Sequence, residues 1–518
     1  MKKMKKMLAL LLAALMVFSV VGCGGDNNGG GGSDSEELYS EARTLNVALT
    51  SEPASMDPTQ TIDTWSDTVF TNIYETLMEV NEKGEIVPKL AESYEASADG
   101  LTYTFKLKKG VKFHNGEEMK ASDVAFSFNR AKEAAILKSV TADFDNVEAT
   151  DDYTVVFHLN KVSAPFMSNM TYVCLCVLSE KAVTEAGEDY YKSPIGTGPY
   201  KFEKWDQGVE LDLTYFEDYW GNTPDFTKVK LRFIPEATSR TIELEAGSVD
   251  LITDVAATDL SRVEDGENMA LATAVGMAIR LMAMNCSAEP LTDVRVRQAI
   301  AYAIDCEAIN QAMNLGHGTV ATAPISDAVM FHSEVGKNEF NLDKAKELLT
   351  EAGYPDGLDI TLSTDTRKEY SDVCVILQQQ LAKANIRVTL DNTEWAVFLD
   401  KAYQGDTQLF MLGYSCSTPD PDALFYSCFH SANIGPQGGM AYLQDEEVDR
   451  LIDASRTELD TAKRTELYEQ LQAKLAELKP WVYLYNTTVN YGINTAKIAE
   501  IKVAGSSVQP YYNIKRVK

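Results

Sequence analysis

Hydrophobic and polar positions alternate in several short segments of the first half of the chain. A period of two residues predicts strands at 44–53, within 101–113 and at 153–159, because successive side chains of a strand point to opposite faces. The segment 69–80, VFTNIYETLMEV, has the spacing of a helix instead. Alternating residues on either side of Gln207-Gly208 predict a β-hairpin.

Helical and strand-like patterns follow one another along the rest of the chain. Helices are predicted to begin near Ser122, as an N-cap, and near Ala237, the second ending at Gly247 before a strand. The same order recurs downstream, with predicted helices at 294–313, before Gly353, at 373–384, from Trp395 and at 445–478, and predicted strands from Leu358, at 386–391, 407–414 and 481–486. This order predicts an α/β fold. A strand-like tail, 501–518, returns after a second α/β set, which implies two lobes with a crevice between them.

The first 22 residues combine a lysine-rich start with an apolar run from Met7 to Val21. This run is roughly 15 residues long, shorter than the roughly 20 that a spanning helix needs, so 1–22 is predicted to be a secretion signal. Val20-Val21-Gly22-Cys23 resembles the lipobox of bacterial lipoproteins, which predicts a lipid anchor on Cys23; the alternative is an ordinary signal peptide with an incidental cysteine. The polar, glycine-rich sequence within 23–43 suits a flexible linker.

An acidic composition limits the range of partners. The 518 residues carry a formal net charge of −30, and a surface of that sign repels nucleic acid. The length predicts roughly two to four domains. Seven cysteines follow Cys23 without a CxxC motif, so we expect buried thiols at Cys174 and Cys176, while a disulfide between Cys416 and Cys428 stays open.

Motifs for catalysis or metal binding are sparse. The five histidines are scattered without ligand spacing, so neither a metal site nor a cofactor is expected. Gly196-Thr197-Gly198 lacks the third glycine of GxGxxG and leads into a strand, which indicates a tight backbone corner. Residues 413–417, GYSCS, fit four of the five positions of the GxSxG nucleophile elbow, but Ser417 replaces the last glycine. A secreted serine hydrolase using Ser415 is therefore a remote alternative, and no enzyme is expected.

Five sequence blocks resemble the family-5 extracellular solute-binding proteins, the peptide, nickel and oligopeptide receptors of ABC importers. The blocks follow in family order, LAESYEASADGLTYTFKLKKGVKFHNGEEMKASDVAFSF at 90–128, PIGTGPYKFEKW at 194–205, FEDYWG at 216–221, DVRVRQAIAYAID at 293–305 and PWVYLYN at 480–486. The resemblance covers nearly the whole mature chain. It implies a two-lobe periplasmic-binding-protein-like fold of type II, cluster C, with an extra subdomain in the first lobe.

Domain boundaries are also implied by the resemblance. The first lobe is expected at 44–280, with the extra subdomain at about 60–190, and is completed by 486–518; the second lobe is expected at 281–485. The chain would cross between the lobes near Ala283-Met284-Asn285 and near Tyr485-Asn486. Closure of the lobes would capture a ligand, and the closed form would dock on a membrane permease.

The stretch 413–422 carries most of the candidate ligand residues. In peptide-binding relatives it reads as glycine, tryptophan, two small residues and an aspartate that binds the terminal ammonium of the peptide. Here Tyr414 and Ser417 stand at the aromatic and the aspartate positions. The resemblance implies ligand binding by Tyr414, Ser415, Ser417, Thr418, Arg367, Trp395 and Asn285.

Some of these residues have a second interpretation. Arg367 is equally well explained as a solvated surface residue, and Trp395 as packing between a helix and a strand. Asp420 and Asp422 fit a helix start, with Asp420 as N-cap and Pro421 at the first helical position, or a counter-charge for a ligand.

The resulting expectation is a monomeric receptor, lipid-anchored on the extracytoplasmic face of the cell membrane. It would capture a peptide or a similar small polar solute and deliver it to the permease subunits of an ABC importer. Nickel or a metal chelate, a glutathione-like solute and an oligosaccharide are the alternative ligands. Because Ser417 carries no charge to offset a buried ammonium, we expect a free α-ammonium to contribute less to affinity than in typical dipeptide receptors.

Overall fold

The structure, a computed structural model, describes residues 43–81, 84–416, 418–435 and 438–518. Its strands are β1 (Thr44–Leu49), β2 (Met78–Val80), β3 (Ile86–Pro88), β4 (Ala91–Ala96), β5 (Thr102–Leu107), β6 (Phe144–Asp151), β7 (Thr154–Leu159), β8 (Tyr200–Asp206), β9 (Glu210–Tyr215), β10 (Lys228–Phe233), β11 (Leu251–Ile252), β12 (Met269–Met284), β13 (Leu358–Asp365), β14 (Ile386–Thr393), β15 (Leu409–Ser415), β16 (Trp481–Asn494), β17 (Ile498–Glu500) and β18 (Lys515–Arg516).

The α-helices alternate with these strands. They are α1 (Thr64–Ile73), α2 (Ala121–Glu133), α3 (Lys138–Thr141), α4 (Phe166–Asn169), α5 (Glu180–Ala186), α6 (Ala237–Glu245), α7 (Leu260–Glu264), α8 (Val294–Tyr302), α9 (Cys306–Asn314), α10 (Leu342–Glu351), α11 (Lys368–Ala382), α12 (Trp395–Gln404), α13 (Asp422–Phe429), α14 (Glu446–Thr457) and α15 (Thr461–Leu478). No helix in the described part of the chain is both long enough and apolar enough to span a bilayer.

A ten-stranded mixed sheet runs through the molecule in the order β14, β13, β15, β12, β16, β11, β1, β10, β9 and β8. Parallel pairs occur on both sides, β13 with β14 and β1 with β10, and the long strands β12 and β16 pair antiparallel between them. A separate four-stranded sheet has the order β4, β5, β7 and β6. Parallel strands joined by helices confirm the predicted α/β class.

The long strands β12 and β16 contribute to several hydrophobic clusters, two of which we name the first core and the later core. Ala272 of β12 and Tyr491 of β16 pack in the core of the first part of the chain, whereas Ile279 of β12 and Trp481 of β16 pack in a core built from later residues. The pairing register of the two strands is irregular between Val275 and Ile279. The backbones approach closely there, because a Cβ on Gly276 would lie 2.3 Å from Oγ1 of Thr487.

Several local predictions are confirmed. The hairpin around Gln207-Gly208 forms from β8 and β9, and the helices predicted near Ala237 and Trp395 begin at those residues. Gly196-Thr197-Gly198 forms a tight corner against Ile73, since a Cβ on Gly196 would lie 2.1 Å from the Ile73 carbonyl oxygen. The seven cysteines that the structure describes are free thiols, with Cys174 and Cys176 buried as expected.

Other local predictions are wrong. The structure has helix α1 at Thr64–Ile73 instead of a helix over the predicted 69–80. The last residues of the predicted segment, Met78–Val80, form β2. Helix α2 has Lys120, not Ser122, at its N-cap, because the Asp123 carboxylate accepts a hydrogen bond from the Lys120 backbone N–H at 2.9 Å.

Candidate functional site

A cavity of about 500 Å³ opens between residues that are far apart in the sequence. One wall comes from α1, 74–89, 171–173 and 504–513; the other consists of Met277, Ala328, Met330 and Pro419. The first wall belongs to segments of the first core, and Met277 packs against the later core. The cavity therefore lies between the two cores, and its volume falls in the range of small-molecule sites.

Helix α1 provides part of the first wall. It begins at Thr64 because Oδ1 of Asp63 accepts hydrogen bonds from the backbone N–H groups of Trp65 and Ser66, each at 3.0 Å. Asp67 and Thr71 follow one turn apart, so they share a helix face, and both line the cavity. Asp63 thus fixes where α1 begins, and Asp67 and Thr71 lie on the face that lines the cavity.

Asp67 is a buried carboxylate in this wall, with 6% of its surface exposed. The thiol of Cys174 donates a hydrogen bond to its Oδ1 at 3.2 Å. Burial, together with the negative charge of Asp63, raises the pKa of Asp67 to about 7, because a desolvated carboxylate disfavours its charged form. Among the described residues no lysine or arginine contributes to the environment of this group.

A second acidic group in the wall, Glu75, is fully satisfied by its neighbours. Its carboxylate accepts hydrogen bonds from Oγ1 of Thr197 at 2.9 Å, the hydroxyl of Tyr219 at 2.9 Å and Nε1 of Trp220 at 2.8 Å. Nζ of Lys89 lies 3.9 Å from Glu75 and 3.4 Å from Glu79. Burial raises the pKa of Glu75. This network holds the lysine and two acids together at the cavity wall.

Two of the predicted ligand residues, Arg367 and Trp395, lie together at the starts of α11 and α12. Nε of Arg367 is 3.0 Å from each carboxylate oxygen of Asp365, and its guanidinium carbon is 4.7 Å from the centre of the Trp395 ring and 4.3 Å from that of Tyr370. Arg280 lies beside the same tyrosine, 5.2 Å from the ring centre. None of these residues lines the 500 Å³ cavity.

Tyr414 and Asn285 make contacts inside the protein. The ring of Tyr414 stacks on Trp481, with centroids 5.1 Å apart and an interplanar angle of 14°. Asn285 is fully buried, donates to the carbonyl oxygens of Gly405 at 2.9 Å and Thr407 at 3.0 Å, and accepts from the Ser287 backbone at 3.0 Å. These bonds use both ends of the Asn285 amide.

The remaining predicted residues lie near the end of β15. Ser415 is exposed at the last position of the strand, and Thr418 is buried, with its hydroxyl donating to the Asp420 carbonyl oxygen at 3.2 Å. Thr418 directly precedes Pro419 of the cavity wall. Ser417 lies outside the described residues, as does Cys23.

Asp420 and Asp422 are both engaged by arginines. Oδ1 of Asp420 lies 3.0 Å from Nη2 of Arg464, and Oδ1 of Asp422 lies 3.2 Å from Nε of Arg456. Helix α13 begins at Asp422 with Pro421 at its N-cap, so the prediction of Asp420 as N-cap is wrong by one residue. Oδ1 of Asp420 nevertheless accepts from the Asp422 backbone N–H at 3.0 Å, which is a capping-type contact.

The sequence analysis missed the acidic and aromatic residues of the cavity. Asp67 was not predicted as a cavity residue because the helix was predicted to begin after it, at 69. The cap residue Asp63, which fixes the true start, was not recognised. Tyr172 and Met330 lie in segments without regular secondary structure, where periodicity carries no signal. An Asp-x-x-Ser pattern at 63–66 was the available signal for the start of α1.

Comparison with known proteins agrees with this architecture. The profile described as "Bacterial extracellular solute-binding proteins, family 5 Middle" matches residues 85–436, which is more than half of the chain. The glutathione-binding protein GsiB of Pectobacterium atrosepticum is 29% identical over 453 residues, covering 85% of this chain and 87% of that protein. The oligopeptide-binding protein AppA of Bacillus subtilis is 30% identical over 469 residues, covering 84% of each.

A solved structure, HbpA2 from Haemophilus parasuis, superposes on this chain with a TM-score of 0.85 at 28% identity, covering 92% of this chain and all of that one. The mixed sheet, the two cores and this superposition confirm the two-lobe periplasmic-binding-protein-like fold. The protein belongs to the bacterial extracellular solute-binding proteins of family 5.

Proposed function

We propose that this protein is an extracytoplasmic receptor that captures a peptide or a similar small polar solute and delivers it to an ABC importer. The observation that carries the proposal is the cavity of about 500 Å³ between the two cores, lined from both sides. A ligand held there contacts both lobes, so its binding free energy favours the closed arrangement. Relatives named for oligopeptide and glutathione binding support a peptide-like solute.

We further propose the lobe boundaries 44–280 with 486–518, and 281–485. The change of core along β12 and β16 supports this division. The two proposed lobes also contact each other away from these strands, where the Ala164 backbone N–H donates a hydrogen bond to the Arg456 carbonyl oxygen at 2.8 Å. Closure of the lobes would form or release contacts of this kind while the irregular pairing near Gly276 absorbs the bending.

The receptor is proposed to return its ligand chemically unchanged and to act as a monomer held to the membrane through Cys23. The family consists of solute-binding proteins, which supports a role without catalysis. Three of the described histidines, His114, His158 and His332, lie within hydrogen-bond distance of Gly198, Glu148 and Thr322, respectively.

A thermal-shift screen with pairs of free and N-acetylated peptides tests the proposed function. A peptide ligand at 100 times its dissociation constant stabilises the folded protein by about 2.7 kcal/mol. Stabilisation by peptides supports the proposal, and similar shifts for free and acetylated members support the small contribution of the α-ammonium expected from Ser417. Stabilisation only by metal chelates or oligosaccharides would select one of the alternative ligands.

A further inference from the structure

The cavity wall contains an acid whose charge is not balanced by the protein. Asp67, Glu75, Glu79 and Lys89 all line the cavity, so acids outnumber bases there. Lys89 lies within 4 Å of Glu75 and Glu79, at 3.9 and 3.4 Å. In the part of the chain that the structure describes, no basic side chain forms an ion pair with Asp67.

The surroundings of Asp67 do not replace that missing cation. Its Oδ1 accepts the weak thiol donor of Cys174 at 3.2 Å, and the described residues provide no second hydrogen bond to its side chain. The charged group that affects its pKa is another acid, Asp63. With only 6% of its surface exposed, Asp67 also has little access to water. An ionised carboxylate in such a place is costly unless it is paired.

A positively charged ligand group would remove this cost. Thr71, one turn after Asp67, and Tyr172 line the same cavity and offer hydroxyl oxygens and an aromatic face, both of which favour a cation. We propose that Asp67 binds a cationic nitrogen group of the captured solute, a protonated amine or a guanidinium. The inference rests on the proposed function, because it assigns the charge preference of the same cavity.

The cation has two possible sources, the α-ammonium of a peptide or a basic side chain. Titration calorimetry with matched tripeptides separates them. One pair differs only by N-acetylation, a second has lysine or norleucine at the middle position, and a third has arginine or citrulline there. Each pair is measured with the wild-type protein, with Asp67→Asn and with Asp212→Asn.

Asp212 is a matched control. It too is a carboxylate with 7% of its surface exposed, and its Oδ1 lacks a hydrogen-bond partner, but it lies on β9 and does not line the cavity. We expect the wild type to bind the cationic member of at least one pair roughly tenfold more tightly, which corresponds to about 1.4 kcal/mol. Asp67→Asn should abolish this preference and Asp212→Asn should retain it.

The outcomes distinguish the role of Asp67 from the proposed receptor function. If tripeptides bind the wild type without a charge preference, the role of Asp67 is overturned. The same holds if the preference persists in Asp67→Asn. In both cases the proposed receptor function stands. A wild type that binds no tripeptide contradicts the peptide receptor and this inference together. A preference confined to the N-acetylation pair and lost in Asp67→Asn supports Asp67 while refuting the expectation drawn from Ser417.

A measurement on the wild type alone covers the case that Asp67→Asn does not fold. Affinity for the lysine tripeptide should rise several-fold from pH 6 to pH 8, relative to the norleucine tripeptide, as Asp67 ionises. The facing groups do not titrate in this window, since burial raises the pKa of Cys174 and of Tyr172, and hydrogen bonds from Ser66 and Thr61 lower that of Asp63 against the effect of burial. Burial also raises the pKa of Glu75, but its carboxylate accepts three hydrogen bonds and lies 3.9 Å from Nζ of Lys89, so its charge is offset within the protein. Glu79 lies 3.4 Å from the same Nζ. A flat ratio overturns the inference.

Discussion

Asp420 and Arg464 form a buried ion pair beneath the loop that precedes α13, with Oδ1 of Asp420 at 3.0 Å from Nη2 of Arg464. Their side chains are 2% and 6% exposed. Arg464 also donates from Nε to the Ser455 carbonyl oxygen at 2.8 Å, which fixes the guanidinium in place. Asp420 is therefore paired inside the protein, and this pair supports the loop next to the cavity.

Arg464→Met should destabilise the protein strongly. The substitution leaves Asp420 buried without a partner, and breaking one side of a buried pair costs about 3–5 kcal/mol. Chemical denaturation measures the change. Arg387→Met is the matched control, because Arg387 pairs with Asp359 at the surface, and little change is expected there. Equal effects of the two substitutions would contradict a structural role for the buried pair.

Asp67 should make the unliganded protein less stable as the pH rises. Its pKa is about 7 when folded and 3.8 for an ordinary aspartate, so the folded state holds a proton that the unfolded state releases. The loss of stability begins above about pH 4 and is complete above about pH 7. Asp67→Asn removes this loss, and its stabilising effect should be larger at pH 8 than at pH 5 by an amount on the order of 2 kcal/mol. Thermal unfolding at both values measures it, and identical shifts would argue against the raised pKa.

The parts of the fold that follow from local chemistry were predictable from the sequence. A turn residue with a positive φ, Gly208, sits between alternating strands, and that signal alone located the hairpin. The end of α6 was predictable for a similar reason, since Gly247, also at positive φ, follows its last turn. The return of the strand-like tail at 501–518 and the family blocks both implied the two-lobe arrangement.

The site was less predictable because it depends on contacts between distant segments. The ring of Tyr414 stacks on Trp481, which comes much later in the chain, and the sequence around Tyr414 does not indicate that contact. The cavity wall joins α1 to the tail near Tyr512 and to the loop at Met330. Periodicity within one element cannot indicate which distant segments form one cavity wall. Nothing in the sequence around Asp420 indicates that Arg464 pairs with it.

Ser415→Ala should leave solute handling unchanged. A receptor binds and releases its solute without breaking a bond, so the wild type and the variant should both return an added peptide intact. Mass spectrometry of the peptide after prolonged incubation provides the measurement. Fragments that appear with the wild type and disappear with Ser415→Ala would support the serine hydrolase instead.

Cys23→Ala should release the protein from the membrane. Lipidation at this cysteine is predicted from the sequence VVGC, and the substitution removes the thiol that would carry the lipid. Fractionation of cells that express each form, with metabolic labelling by a palmitate analogue, tests the anchor. A labelled, membrane-bound Cys23→Ala form would contradict it, whereas Cys306→Ala, a change at a buried thiol, should retain the label.

Capture in the cavity between the lobes is tested most directly by native mass spectrometry of the purified protein with and without Ala328→Trp. Ala328 is exposed and lines the cavity, so tryptophan there should fill it without disturbing a core, while Ala98→Trp places the same ring on an exposed turn elsewhere. We expect the wild type and Ala98→Trp to carry one small solute per chain, released with unchanged mass, and Ala328→Trp to carry none. Equal occupancy of Ala328→Trp would contradict the account.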